Sequence, residues 1–203
     1  PLSKVNVWII ALSVWVVMVV FGFSVLTIYS LSAGPTAVGG LVSLPTAQPL
    51  EPITIDRPWH LLIGIHPKCP CSVSSIAELR KLMETNSDKM RCRALVFVPT
   101  SVPRDWADSA SVAELRSIPG VMTEFDYGGN EMRSAGILTS GGTILYDRTD
   151  QILFHGGITP SRGHVGPNAG SDAIAAIVEG RETLAMDTPI FGCRVHASQS
   201  RSK

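Results

Sequence analysis

Residues 61–83 read LLIGIHPKCPCSVSSIAELRKLM, and the fold turns on how that stretch divides. Leu61-Leu62-Ile63-Gly64-Ile65 is a short apolar run of strand length. From about Ser72 to Met83 the period changes, with Val73, Ile76, Leu79 and Leu82 (or Met83) at the i, i+3, i+4 spacing of an amphipathic helix. Between the two, His66-Pro67-Lys68-Cys69-Pro70-Cys71 places two of the chain's four cysteines where a buried strand ends and a helix begins. Unpaired amides and the helix dipole at such a junction favour an anion and lower a thiol's pKa, and Lys68 adds a cation beside it. A thiolate there is nucleophilic, and a second sulfur close by permits reversible disulfide exchange. A Cys69–Cys71 disulfide would close a small, strained ring around Pro70, and strain makes a disulfide easier to reduce.

Outward from this junction, Ala94 to Val98 is a second buried-type strand, stopped by Pro99. One amphipathic helix is predicted from Asp105 to Ser117, carrying Trp106, Val112 and Leu115, with Ile118 behind it and Pro119-Gly120 ending it. Val121 to Phe125 reads as a strand, and Asn130 to Ala135 as a short helix with Asn130 near its cap. The runs Thr143–Tyr146 and Gln151–His155 flank Asp147-Arg148-Thr149-Asp150, a hairpin signal. Ser171 to Gly180 closes the series as a helix. The order βαβα(β)αββα predicts an α/β domain over 59–195, with a central mixed sheet and helices on both faces.

A cysteine pair that follows the first core strand and opens the next helix resembles the thioredoxin superfamily, over about Trp59 to Gly180. The nearest likeness is to membrane-tethered members of the TlpA type. The segments H-P-K-C-P-C-S, G-G-I-T-P-S-R-G-H-V-G and F-G-C are similar to the RedB-type branch of bacterial thioredoxin-like proteins. The resemblance implies a thioredoxin-like fold and a thiol–disulfide oxidoreductase with Cys69 as the attacking cysteine. It also implies a protein thiol or disulfide as partner and no cofactor. Two departures stand out. One residue rather than two separates the cysteines, so Ser72 takes the spacing of the usual resolving cysteine. Thr139-Ser140-Gly141-Gly142 replaces the family's cis-proline, so Ser140 or Gly141 faces the site. Family topology brings the loop from Gly156 to Asn168, with Arg162 and His164, towards Cys69, lining the site with His66, Pro67, Lys68 and Pro70. Cys71 is expected to resolve the mixed disulfide, with Cys193 as an alternative third thiol on a segment whose path the sequence does not fix.

Composition then divides the chain. It has 203 residues, no net charge, 45% hydrophobic residues and 17% charged residues. Lys4 is the only charged residue before position 51, so the averages describe two materials joined end to end. Val5 to Leu31 is 27 residues without a charge, long enough for a single-pass membrane helix. Trp8 and Tyr29 suit its two interfaces. A cleaved signal peptide is the rival reading, with Ser32-Ala33-Gly34 as the small-residue site, but its apolar core should be only about 7–15 residues long. Lys4 places the N-terminal side in the cytoplasm by the positive-inside rule. The domain then lies on the periplasmic side of the inner membrane, where disulfides persist. The organisation expected is an anchor over 1–33, a Pro/Gly-rich linker over 34–58 with a short strand at Ile53-Thr54-Ile55, the domain over 59–195, and a polar tail over 196–203. The chain starts at Pro1 rather than at methionine, which leaves room for residues upstream.

Zero net charge excludes a nucleic-acid binder that works by neutralising phosphates. The glycine-rich loops at Tyr127-Gly128-Gly129 and Gly156-Gly157 lack a phosphate-cradling pattern, and no G-x-S-x-G elbow occurs. Cys92 reads as a buried thiol, the scattered Asp and Glu as solvated surface, and His60, His155 and His196 as surface or packing residues. Two alternatives to the oxidoreductase remain. Soft thiolates select thiophilic metals, so Cys69, Cys71, Cys193 and His164 could bind copper as Cu(I), a use to which copper-delivery proteins put the thioredoxin-like fold. The domain could also be a tethered interaction module without redox turnover.

Overall fold

The structure is a computed structural model that describes residues 4–36 and 58–195. The expected strand at Ile53-Thr54-Ile55, most of the linker and the tail lie outside those residues. The chain divides into two units, Pro1–Ser32 and Ala33–Lys203. The first is a single helix, α1 (Lys4–Leu31). Its stretch Val7–Leu31 has a mean hydropathy of 2.7. At 1.5 Å per residue, those 25 residues extend about 37 Å, against a hydrocarbon core of about 30 Å. Length and composition therefore suit a membrane span, as they would suit a signal sequence. Three of its hydroxyls are satisfied within the helix: Ser13, Ser24 and Thr27 each donate to the carbonyl four residues back, which removes the cost of a bare donor in lipid.

The second unit is built on β1 (Trp59–Ile65), α2 (Pro70–Asn86), β2 (Met90–Val98), α3 (Ala110–Arg116), β3 (Val121–Tyr127), α4 (Asn130–Ser134), β4 (Gly142–Tyr146), β5 (Ile152–Gly157) and α5 (Ala169–Val178). The strand order is β3-β2-β1-β4-β5. β1, β2 and β3 run parallel, while β4 is antiparallel to β1 and β5 to β4. Alternate residues serve opposite faces. Leu61, Ile63, Ile65, Ala94, Val96 and Val98 pack with α2, α3 and α5, and Leu62, Leu95, Phe97 and Ile144 pack with Met132 of α4, Ile137 and Val195. Burial on both faces is why β1 reads as an unbroken apolar run instead of alternating.

Several boundaries differ from the expectation. The helix predicted over 105–117 is two pieces, a 3-10 turn at Arg104–Ala107 and then α3. Asp108 is extended, and the Ser109 hydroxyl accepts from Val112 N at 3.3 Å. That hydroxyl caps a new helix where it would have been idle inside a continuous one. β2 begins at Met90, so Cys92 lies within the strand and is 1% exposed. The cap of α4 is Gly129, in the left-handed region at φ 69°, with Asn130 beside it as the first helical residue. Three acidic residues are not simple surface. Buried Asp126 accepts the N–H groups of Glu131 and Met132 at the start of α4, and half-exposed Glu124 grips buried Arg93 with two bonds. Buried Glu78 accepts from Lys81 and from Gly166 N, pinning the 158–168 loop to α2.

After α5 the chain continues as an extended strap over residues 181–195. It runs beside β5, where His155 N donates to Met186 O at 3.0 Å and Thr188 Oγ1 to Gly157 O at 2.8 Å. It then pairs antiparallel with the segment before β4 through Ser140 N to Cys193 O (2.8 Å) and Val195 N to Leu138 O (3.1 Å). Ile190 and Val195 are fully buried beneath it. The strap is thus part of the domain's packing, and it ends beside the β1–α2 junction.

Candidate functional site

Cys69 is the N-cap of α2, with extended φ −90° and ψ 121°, and Pro70 occupies the first helical position. Proline suits that place because its missing N–H would have no partner there. The turn before it is held by Cys69 N to His66 O (3.1 Å) and by the Ser72 hydroxyl to the same carbonyl (2.9 Å). The Ser140 hydroxyl completes the brace, accepting from His66 N at 2.9 Å and lying 2.8 Å from Ser72 Oγ. Ser72, at the spacing of the usual resolving cysteine, therefore ties the cysteine turn to the 138–141 loop. Gly141 is required behind it. Its φ is +88°, and a Cβ would stand 2.6 Å from Ser75 Oγ.

The strap delivers the second sulfur. Cys193 Sγ lies 2.7 Å from Cys69 Sγ, across 124 residues of sequence. Gly192 makes this approach feasible, since a Cβ there would collide with the carbonyl oxygen of Ser140. Arg162 from the loop after β5 donates to Gly192 O at 2.7 Å. Cys69 is 3% exposed, whereas Cys71 and Cys193 are half-buried.

The environment separates the three thiols. Burial pushes Cys69 up, but the S–H of Cys193 and the backbone N–H groups of Cys193, Cys71 and Ser72 outweigh it and hold the thiol below its usual range. Cys71 is raised, by burial and then by its proximity to Cys69, with the Arg162 guanidinium opposing. Cys193 is raised by burial, by donating to Cys69 and by the charges of Cys69 and Cys71, again against Arg162. The surroundings thus favour the charge on Cys69 and the proton on Cys71 and Cys193. Cys92, deep in β2, is pushed well up by burial alone and sits apart as an inert thiol.

The other expected residues fall into two groups. Ser140, Gly141, Pro70 and Arg162 meet at the cysteines as described. His66 stacks on Phe97 and meets Trp106 edge-on, and its pKa is lowered by burial. Lys68 does not face the sulfur; its ammonium lies over the Trp106 ring at 4.5 Å. The cation acting on the thiols is Arg162 instead, and it acts on Cys71 and Cys193. Pro67 is buried, and its carbonyl accepts from Ser111 Oγ. His164 is exposed, with Nδ1 2.7 Å from Arg162 O. His60 and His155 are packing residues with buried ring nitrogens. Phe97, Trp106 and Gly192 are not legible in the sequence as site residues. The first two carry only a core signal, and Gly192 is legible only as the middle of Phe191-Gly192-Cys193. Among the described residues, no three His, Cys, Asp or Glu side chains are grouped to hold a metal ion, and no peptide bond is cis.

No family model and no curated protein matches the chain. Solved structures do match it. A hypothetical protein from Sinorhizobium meliloti 1021 is 20% identical, with a TM-score of 0.57, covering 71% of this chain and 82% of its own. An uncharacterized conserved protein from Geobacillus kaustophilus is 19% identical, with a TM-score of 0.57, covering 70% and 79%. A secreted Mycobacterium tuberculosis disulfide oxidoreductase homologous to E. coli DsbE is 11% identical at a TM-score of 0.44, covering 61% and 81%. Such identities speak to the fold alone. The strand order and directions, with a cysteine capping the helix after the central strand, make this a thioredoxin-like fold preceded by one apolar helix long enough to cross a membrane.

Proposed function

We propose that this chain is a membrane-tethered, extracytoplasmic thiol–disulfide oxidoreductase whose redox pair is Cys69 and Cys193. The observation that carries the reading is the 2.7 Å separation of the two sulfurs, from which a bond of about 2.05 Å needs only a small side-chain shift. The proposal assigns the second sulfur to Cys193 rather than Cys71. A Cys69–Cys71 bond would close a tight ring around Pro70, whereas Cys193 already faces Cys69 from another segment. In the reduced state the surroundings favour the charge on Cys69 and the proton on Cys193, and in the oxidised state the two share the disulfide. α1 serves as the anchor, with Lys4 on the cytoplasmic side and the domain in a compartment where disulfides persist. The TlpA-type and RedB-type likenesses of the motifs agree with such a tethered redox role.

The test is thiol counting with disulfide mapping on the full chain in detergent, through a series of redox buffers, combined with metal analysis. The expected result is one disulfide, Cys69–Cys193, that forms and breaks reversibly, and a Cys69→Ser variant that does not exchange with a model dithiol. A pair that does not titrate, or a Cys69→Ser chain that exchanges as fast as the parent, overturns the reading. Retention of Cu(I) by the reduced chain against a moderate chelator would move the assignment to metal binding.

A further inference from the structure

The two sulfurs of the pair are not equally open to a partner. Cys69 is 3% exposed, seated at the start of α2 between the 66–72 turn and the strap. Cys193 is half-buried and precedes exposed Arg194. An attacking thiolate must reach a disulfide sulfur and expel the other one, so access to the attacked sulfur and the stability of the leaving thiolate both count.

Resting on the pairing proposed above, we infer that a partner thiol attacks the Cys193 sulfur, so that the mixed disulfide with the partner is carried by the strap and not by the cysteine of the β1–α2 junction. The incoming thiolate RS⁻ bonds to Cys193 Sγ, the Cys69–Cys193 bond breaks, and its electron pair leaves on Cys69 as thiolate. A second partner thiolate then attacks the R sulfur, releasing RSSR and the Cys193 thiolate, which takes up a proton. Two thiols are oxidised to one disulfide, and the protein disulfide is reduced to a dithiol. Cys69 remains the nucleophile inside the protein, because the reverse of the first step is its thiolate attacking Cys193.

Four observations agree on this polarity. The leaving sulfur caps a 17-residue helix, where charge is favoured. Backbone N–H groups of Cys193, Cys71 and Ser72 are directed at its sulfur and favour the thiolate as it leaves. The attacked sulfur sits beside the Arg162 guanidinium, a charge that favours an approaching anion. Cys193 also lies on a segment without regular secondary structure, held to Leu138 and Ser140 by two backbone bonds, so it can shift with a bound partner more readily than a helix cap can.

The probe is reduced glutathione. The full chain in detergent, with its Cys69–Cys193 disulfide verified by mapping, is mixed with glutathione and quenched at short times with N-ethylmaleimide. Peptide masses then report which cysteine carries glutathione and which carries maleimide. The expected result is glutathione on Cys193 and maleimide on Cys69, at least about tenfold over the reverse. The reverse arrangement overturns the inference while leaving the redox pair intact. A Cys71→Ser chain run in parallel removes the neighbouring thiol that could pass glutathione on after the first attack. The same distribution is expected there, and a distribution centred on Cys69 overturns the inference. Absence of a Cys69–Cys193 disulfide in the oxidised chain, seen before glutathione is added, defeats the pairing itself and this inference with it.

Discussion

Cys69 and Cys193 reach one another from segments of opposite construction. Cys69 lies four residues past the end of a strand buried on both faces and caps a 17-residue helix, so its backbone is held between the 66–69 turn and the first turn of that helix. Cys193 comes from an extended strap with no helix or strand of its own, held by scattered bonds to β5 and to residues 138–140 and by the burial of Ile190, Phe191 and Val195. The helix end can stabilise a charge but cannot move. The strap offers no comparable set of amides to an anion, but its position depends on a few contacts. The same two sulfurs therefore play unequal parts, one as the seat of the thiolate and the other as the adjustable partner.

The severest way to break this comparison is to remove the charge-holding side. Cys69→Ser should lower exchange with a model dithiol to the uncatalysed background, because no other thiol in the chain has its pKa lowered by its surroundings. A residual rate near that of the parent would place the chemistry elsewhere. Next in size is a change beneath the strap. Ile190→Ala removes a fully buried side chain and should cost about 2–4 kcal/mol. The loss should be felt first by the strap: hydrogen-exchange protection of amides 186–195 falls, and the yield of Cys69–Cys193 disulfide falls with it, while β1 and β2 keep their protection. Equal loss of protection across the sheet would show that strap and sheet open as one unit, and would erase the contrast.

The same contrast explains what could be read beforehand. The β1–α2 junction is legible because each part has a local signal, an apolar run of strand length and a period of 3.6 in the helix, although the helix starts at Pro70, two residues before the expected Ser72. The hairpin was legible through Asp147, whose carboxylate accepts from Thr149 N and Gln151 N and closes the turn. The strap has no such signal. Its apolar residues Ile190, Phe191 and Val195 follow neither period, and its course depends on contacts made with β5 and with Leu138 and Ser140, far away in sequence. The break at Asp108-Ser109 was missed for a related reason: a capping hydroxyl and an idle one look alike in sequence. Lys68 was assigned to the thiol by adjacency, but its long side chain finds the Trp106 ring, a contact set by tertiary packing.

A milder perturbation sits on the helix side. Ser72→Ala removes the hydroxyl that joins His66 O to Ser140 Oγ, leaving the part-buried His66 carbonyl with one partner fewer. The expected cost is about 1–2 kcal/mol, read as a lower midpoint in urea with the slope unchanged. Because the Ser140 N to Cys193 O bond that holds the strap stays in place, the disulfide yield should hold. A fall in yield as large as that of Ile190→Ala would mean that the brace positions the strap as well.

The smallest effect is on titration, and it probes the asymmetry most directly. Burial alone would raise Cys69; the Cys193 S–H and three backbone N–H groups reverse that, so its folded pKa lies below the usual thiol range. A depressed acid stabilises the folded reduced chain in full above its unfolded pKa of about 8.5, and that contribution is lost as pH falls through the folded value. Cys193 shifts the other way, so above about pH 8.5 it ionises more readily in the unfolded chain and stability declines again. The reduced protein should thus gain stability with rising pH up to about 8.5 and lose it beyond. The oxidised protein, in which neither sulfur of the pair titrates, should lack the rising limb, while the decline at high pH persists through the raised thiols of Cys71 and Cys92. Cys193→Ala removes the donor to Cys69, so the low-pH step in thiolate ultraviolet absorbance should move to higher pH and the rising limb should shrink. An unmoved step would mean that the helix cap alone holds the thiolate, and the strap would then supply a reacting sulfur without tuning its partner.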